Sequence, residues 1–149
     1  MKIAIASDHA GFELKNHLAA FLRGLNYDLT DLGAHTNAPS DYPDFAEAVG
    51  DAILSGAAER GILICGSGVG VSVAANKLKG IRAAVCHDSY SARQGVEHDD
   101  MNVLVLGSRI IGPALAEDLA RFFLAAQFTG EERHVRRLGK VKDLESRNQ

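Results

Sequence analysis

A glycine-rich segment in the middle of the chain has the composition of an anion-binding turn. Residues 65–71 read CGSGVGV and follow a short apolar run. Alternate glycines let backbone N–H groups approach a ligand closely, so this segment could hold a phosphate or a transient oxyanion. It lacks the GK[ST] ending of a Walker A loop and the full GxGxxG dinucleotide pattern, and a tight turn between a strand and a helix would explain the same glycines.

The two cysteines of the chain differ in their surroundings. Cys65 begins the glycine-rich segment beside the Ser67 hydroxyl, where the positive end of a following helix would favour a thiolate that acts as nucleophile or base. Cys86 has no such turn, and we expect an inert, buried thiol there. Neither cysteine has CxxC or Cys/His spacing, so we predict reduced thiols and neither a disulfide framework nor a zinc site.

Histidines supply candidate groups for proton exchange near neutral pH. His98 follows a predicted helix, and His9 directly follows the first predicted strand, with Asp8 beside it. A solvated histidine is the commoner alternative for His98. The six histidines show no HxxxH or HExxH spacing, so no metal site is predicted.

The C-terminal segment is the basic part of the chain. Residues 131–149 carry six basic and four acidic side chains, a net charge of +2. Because the whole chain has a net charge of −3, residues 1–130 carry −5. Arg133 and Arg137 are four apart and share a helix face, an arrangement that suits a phosphate dianion. Ion pairs with Glu131 or Glu132 on a solvated helix are the alternative.

Alternating strands and helices would position these residues. Short apolar runs predict five strands, and several lack the alternation of a half-exposed strand, which indicates that helices cover both faces. The runs are residues 2–6, 27–32, 61–65, 81–86 and 102–106. Apolar positions between them follow the 3.6-residue helical period, with one more helix after the last strand, marked by Val135, Leu138, Val141 and Leu144. This alternation predicts a parallel sheet with right-handed crossovers, whose carboxyl edge collects ligands.

Length and composition place the chain among ordinary globular proteins. It has 149 residues, 46% of them hydrophobic and 23% charged, which predicts one domain with a substantial core. This balance disfavours disorder and general nucleic-acid binding. No apolar run is long enough for a membrane span, and acidic Asp8 interrupts the N-terminus too early for a signal peptide, so a cytoplasmic protein is expected.

Ordered motifs along almost the whole chain resemble ribose-5-phosphate isomerase type B. These are residues 6–12 (ASDHAGF), 40–43 (SDYP), 61–70 (GILICGSGVG), 74–77 (AANK), 80–83 (GIRA), 102–104 (NVL) and 107–109 (GSR). The resemblance implies a single Rossmann-like αβα domain over residues 1–149, with a five-stranded parallel sheet and an extra C-terminal helix. It implies metal-independent interconversion of ribose 5-phosphate and ribulose 5-phosphate through an enediolate, without a cofactor. It also implies a homodimer or tetramer in which subunits share the site.

Carried over by motif, the resemblance gives each candidate residue a role. Cys65 would move a proton between the two carbons, Ser67 would assist it, and His98 would open the furanose ring. The backbone of residues 66–70 would stabilise the enediolate oxygens. The expected substrate-binding residues are Asp8, His9, Gly66, Gly68, Val69, Gly70 and Asp99. The expected phosphate-binding residues are Arg109, Arg133, His134 and Arg137.

Two departures from the family pattern bear on the substrate. Asp99 stands where the family often has Asn, which removes amide donors and adds charge, and Ser67 stands where it often has Thr. The alternatives are therefore an isomerase of another sugar phosphate, such as allose 6-phosphate or galactose 6-phosphate, or a non-catalytic module that binds phosphosugars or nucleotides. Cys65, His98 and the arginine pair together favour the isomerase.

Overall fold

Five parallel strands and six α-helices follow one another along residues 1–147, and strands alternate with helices as the sequence pattern predicts. The computed structural model describes residues 1–147. The strands are β1 Lys2–Ser7, β2 Asp28–Asp31, β3 Arg60–Cys65, β4 Ala83–Val85 and β5 Val103–Gly107. The helices are α1 Phe12–Gly24, α2 Tyr42–Leu54, α3 Val69–Ala75, α4 Ser89–Asp99, α5 Pro113–Ala125 and α6 Glu132–Arg147. No helix in this range is long and apolar enough to cross a membrane.

The strand order creates a crevice at the carboxyl edge of the sheet. The order is β2-β1-β3-β5-β4, and all four neighbouring pairs are parallel. The chain therefore leaves β1 toward β2 on one side and returns to β3 on the other. Ligands of open α/β sheets bind at such a reversal point, here between the ends of β1 and β3.

Helices cover both faces of the sheet, as the apolar strands require. Alternate strand residues such as Ile62 and Ile64 point to a core formed with α1, α4 and α5. The intervening residues, including Leu63 and Cys65, point to a second core formed with α2 and α3. The Cys65 side chain therefore lies on the α3 side, close to the turn that leads into that helix.

Strand β4 is shorter than the apolar run of residues 81–86 predicts. The Arg82 N–H donates to the Asn102 side chain at 2.8 Å, and the Ala83 N–H donates to the Asn76 side chain at 2.9 Å. These amide side chains take the place of strand partners at the start of the run. Helix α3 begins at Val69, inside the glycine-rich segment.

The C-terminal helix packs through only part of its apolar stripe. His134 and Leu138 are its buried residues, and its Glu145 carboxylate accepts from the Gly80 N–H at 2.9 Å. Val135 and Val141 remain about half exposed. One protomer therefore leaves an apolar surface on α6.

A buried ion pair joins α1 to the end of β2. Lys15 is only 1% exposed, and its ammonium donates to Oδ2 of Asp31 at 2.6 Å. The Gly33 N–H donates to the other carboxylate oxygen at 2.9 Å. Because both charges are largely removed from water, loss of either partner leaves a charge that is costly to bury.

We expect Asp31→Asn to lower the free energy of unfolding by about 3 kcal/mol, since Lys15 loses its counter-charge while the acceptor for Gly33 is kept. Glu117→Gln is the control because it removes only the exposed pair with His17 and should cost less than about 1 kcal/mol. Urea denaturation at one fixed protein concentration measures both values. Equal effects of the two substitutions would contradict this account of the buried pair.

Candidate active site

The end of β1 presents an acid and a histidine held in fixed orientations. Oδ1 of Asp8 accepts from the N–H groups of Ala10 and Gly11 at 3.0 and 3.2 Å. Nδ1 of His9 accepts from the Ser40 N–H at 3.1 Å, while the His9 N–H donates to the Ser40 hydroxyl. A backbone N–H can only donate, so neutral His9 carries its proton on Nε2, available to a ligand.

The glycine-rich turn after β3 surrounds the Cys65 sulfur with backbone. The Gly68 N–H donates to Sγ of Cys65 at 3.2 Å, and Gly68 has a φ of +86°, which glycine adopts without strain. The Val69 N–H donates to the Ser67 hydroxyl. Among residues 1–147, the N–H groups of Ser67 and Gly70 have no hydrogen-bond partner. The turn therefore offers the N–H groups of Ser67 and Gly70 to a ligand, whereas those of Gly68 and Val69 bond within the turn.

Hydrogen bonds join this turn to the loop after β5. The N–H groups of Ser108 and Arg109 donate to the carbonyls of Cys65 and Gly66, both at 2.9 Å. A Cβ at Gly107 would lie 2.6 Å from the Ser67 carbonyl oxygen, so the two loops meet at a distance that only glycine allows. The exposed Arg109 guanidinium lies over Gly66, where it can meet an anion.

These residues line one cavity of about 480 Å³ at the reversal point of the sheet. Its lining residues are Asp8, His9, Ala10, Tyr42, Cys65, Gly66, Ser67, Gly70, Arg109 and Ile110. Tyr42 and Ile110 are not among the residues predicted for the site, although Tyr42 belongs to the SDYP motif. The Tyr42 ring covers Gly70 so closely that a Cβ there would lie 2.8 Å from it.

A second cluster contains His98 and His134. The two imidazole rings stack with centroids 3.9 Å apart and an interplanar angle of 26°. Nδ1 of His98 lies 2.7 Å from the Gln94 amide nitrogen, and Nδ1 of His134 lies 2.8 Å from the Thr129 hydroxyl. Gln94 is not among the residues predicted for the site, although its four-residue spacing from His98 on a helix indicates such a contact.

Arg133 and Arg137 of the C-terminal segment lie near His134 in this second cluster. Arg133 and Arg137 are both exposed. Arg133 forms an ion pair with Glu131 at 2.5 Å, which is the alternative that the sequence left open. In the part of the chain that the structure describes, Arg137 has no ion pair. An exposed pair such as that of Arg133 is weak enough to exchange for an anionic ligand.

The two clusters occupy opposite ends of the sheet within one protomer. Cys65 is the last residue of β3 at the carboxyl edge, where it is paired with Gly107. His98 and Asp99 end α4, just before β5 starts at the amino edge. Five residues of strand separate these edges, a length of roughly 17 Å. One protomer therefore brings Asp8, His9, Cys65, Ser67 and Arg109 together and leaves His98, Asp99, Arg133, His134 and Arg137 elsewhere.

Cys86 behaves as the inert thiol that its context predicts. Burial, and then the nearby Asp88 carboxylate, raises the pKa of the Cys86 thiol to about 11. It therefore remains protonated near neutral pH. Within residues 1–147, no group of three or more His, Cys, Asp or Glu side chains could hold a metal ion.

Comparisons with known proteins agree with this arrangement. A family model described as Ribose/Galactose Isomerase matches residues 3–141. The chain belongs to this family. Ribose-5-phosphate isomerase B of Escherichia coli is 43% identical over 146 residues, which cover 98% of this chain and 97% of that protein.

Solved structures of the family share the fold over its full length. Ribose-5-phosphate isomerase B of Clostridium thermocellum has a TM-score of 0.97 and 49% identity, with 100% of both chains covered. The enzyme of Mycoplasma genitalium, solved with bound ribulose-5-phosphate, has a TM-score of 0.91 and 41% identity, covering 97% of this chain and 96% of that one. The expected Rossmann-like αβα domain is confirmed.

Acid is expected to weaken the packing of the stacked histidines. Burial lowers the pKa of His134, and the neighbouring His98 and Arg133 act in the same direction. The imidazole of His134 therefore binds a proton more tightly in the unfolded chain than in the folded one. Its contribution to the free energy of unfolding is complete above its ordinary pKa and is lost as pH falls through the lowered pKa. We expect wild-type protein to lose more unfolding free energy than His134→Asn between about pH 7.5 and about pH 5.5.

Urea titrations at the two pH values provide the measurement. His35→Asn is the matched control, because His35 is an exposed histidine outside the stacked pair. If wild type and the two variants lost stability equally on acidification, His134 would have no such role.

Proposed function

We propose that this chain is an aldose–ketose isomerase that interconverts ribose 5-phosphate and ribulose 5-phosphate. The observation that carries the proposal is the Cys65 sulfur, held by a backbone N–H inside a ligand-sized cavity at the reversal point of the sheet. The family relationship supports the substrate, since a relative of the same fold binds ribulose-5-phosphate. A binding module for phosphosugars or nucleotides would need no thiol at this place.

The proposed reaction moves one proton between neighbouring carbons. The Cys65 thiolate takes the proton from C2 of the open-chain aldose, and the C–H electron pair forms the C1–C2 double bond of an enediolate. The thiol then returns that proton to C1, while the hydroxyl proton of O2 passes to O1 and leaves a carbonyl at C2. The Ser67 hydroxyl assists the transfer between the two oxygens. The net change is isomerisation, and no cofactor or metal is needed.

The surroundings of the cavity suit the charge that develops in this step. The free N–H groups of Ser67 and Gly70 can donate to the enediolate oxygens, whose negative charge is stabilised most by preorganised donors. Asp8, the Nε2 proton of His9 and the turn backbone at Gly66 are assigned to the sugar hydroxyls, and Arg109 is assigned to the phosphate. The N–H groups of Gly68 and Val69 bond within the turn and shape it instead.

Ring opening and the remaining phosphate contacts are assigned to the second cluster of a neighbouring subunit. His98 exchanges the proton that converts the cyclic sugar to the open chain, Arg133, His134 and Arg137 hold the phosphate, and Asp99 contacts hydroxyls. The rigid sheet keeps this cluster from the cavity of its own protomer, so a symmetric homodimer or tetramer would have to complete the site.

Exposed apolar side chains support such an assembly. Val69 and Ile110 beside the cavity are 59% and 62% exposed, and Val135 and Val141 on α6 are about half exposed. Contact between these two surfaces would bury apolar area on both subunits. The charged substrate crosses membranes poorly, which fits a cytoplasmic enzyme.

Cys65→Ala is expected to lower kcat at least ~10²-fold while changing substrate affinity less than about tenfold, because a proton-transfer base acts mainly in the transition state. Wash-in of solvent deuterium at C2 of ribose 5-phosphate should disappear with it. Cys86→Ala, a buried thiol on another strand, is the control and should keep both activities. Near-normal turnover by the Cys65 variant would contradict the assignment.

Hybrid oligomers test the shared site. Co-expressed Cys65→Ala and His98→Asn chains should each be nearly inactive alone, yet random dimers should regain about a quarter of wild-type activity, because half of the dimers contain one intact site. Cys65→Ala with Arg109→Ala is the matched control: both changes affect the same cluster, so no intact site forms. Lack of recovery in the first mixture would show that each protomer has its own complete site.

A further inference from the structure

Each imidazole of the stacked histidine pair is held at Nδ1 by a neutral polar side chain. The Gln94 amide nitrogen lies 2.7 Å from Nδ1 of His98, and the Thr129 hydroxyl lies 2.8 Å from Nδ1 of His134. Among the described residues, neither Nε2 atom has a hydrogen-bond partner. The unoccupied nitrogen of each ring is therefore the one available to a ligand.

The contact with Gln94 determines the tautomer of His98. The Gln94 atom that faces Nδ1 is the amide nitrogen, which has donors and no acceptor, so Nδ1 of His98 accepts in this arrangement. In the neutral imidazole the proton then sits on Nε2. A carboxylate at the same place would have the opposite effect, because it can only accept and would draw the proton to Nδ1.

Helix geometry makes this contact specific. Gln94 and His98 are four residues apart on α4. The His134 ring, from α6, stacks on one face of the His98 ring and limits its rotation. The neighbouring pair on the same helix, Arg93 and Glu97, has the same spacing and forms an ion pair at 2.9 Å. Among residues 1–147, only Gln94 bonds to a His98 ring nitrogen.

We infer that Gln94 is a positioning residue that keeps the His98 proton on Nε2, the nitrogen that meets the sugar during ring opening. The part of this inference that concerns ring opening rests on the proposed function, whereas the tautomer of His98 does not. This role assigns Gln94 no contact with the substrate or the reacting atoms. It acts through His98 alone.

Nitrogen-15 NMR of histidine-labelled protein tests the tautomer directly at a pH where His98 is neutral. The His98→Asn spectrum identifies the signals of His98 among the six histidines. We expect the Nε2-protonated form in wild type, a mixture of tautomers in Gln94→Leu, and the Nδ1-protonated form in Gln94→Glu. Arg93→Leu is the control and should match wild type. Unchanged signals in both Gln94 variants would overturn the inference.

Kinetics test the consequence for catalysis. Net isomerisation of ribose 5-phosphate by Gln94→Leu should fall roughly tenfold, which is less than the whole ~10²–10⁴-fold that proton transfer contributes. Exchange of the C1 hydrogen of ribulose 5-phosphate with solvent needs Cys65 but no ring opening, and it should stay within about twofold of wild type. Equal losses of both rates would overturn a role in ring opening.

The two kinds of failure can be told apart. Wild-type protein that binds but does not isomerise ribose 5-phosphate would refute the proposed function, while the NMR spectra would still decide whether Gln94 sets the tautomer. Gln94→Glu that retains both the wild-type tautomer and wild-type rates would refute the positioning role while leaving the isomerase proposal intact.

Discussion

The direction of the chain through a parallel sheet is the constraint on which the arrangement of the site depends. Each strand ends at the carboxyl edge, and each helix must return the chain to the amino edge before the next strand begins. Cys65 at the end of β3 and His98 at the end of α4 therefore lie at opposite edges. No change in side-chain conformation can close that distance, because a hydrogen-bonded sheet is rigid along its strands.

The carboxyl edge is preorganised by backbone rather than by long side chains. The turn after β3 and the loop after β5 share hydrogen bonds through Ser108 and Arg109, and Gly107 permits their close approach. Backbone groups lose little conformational freedom when a ligand binds, since folding has already ordered them. This edge can therefore offer fixed donors to a developing oxyanion at small entropic cost.

The amino edge handles its polar groups differently. Neutral partners, Gln94 and Thr129, bond to the two stacked imidazoles, and no carboxylate hydrogen-bonds to either ring among residues 1–147. A carboxylate would favour the charged ring, whereas neutral partners leave its protonation to the surroundings. The buried Lys15–Asp31 pair shows the opposite solution, in which each charge is balanced by its partner.

The sequence by itself determined the alternation of strands and helices, the ligand-binding edge and the candidates Cys65, Ser67, Asp8 and His9. These follow from apolar periodicity and from residues adjacent to strand ends, which are local properties. Only the tertiary structure decided the short extent of β4, the stacking of His98 on His134 and the contact with Gln94. These features depend on residues brought together from separate elements, such as Asn102 beside Arg82, and no local pattern specifies which distant partner a side chain meets.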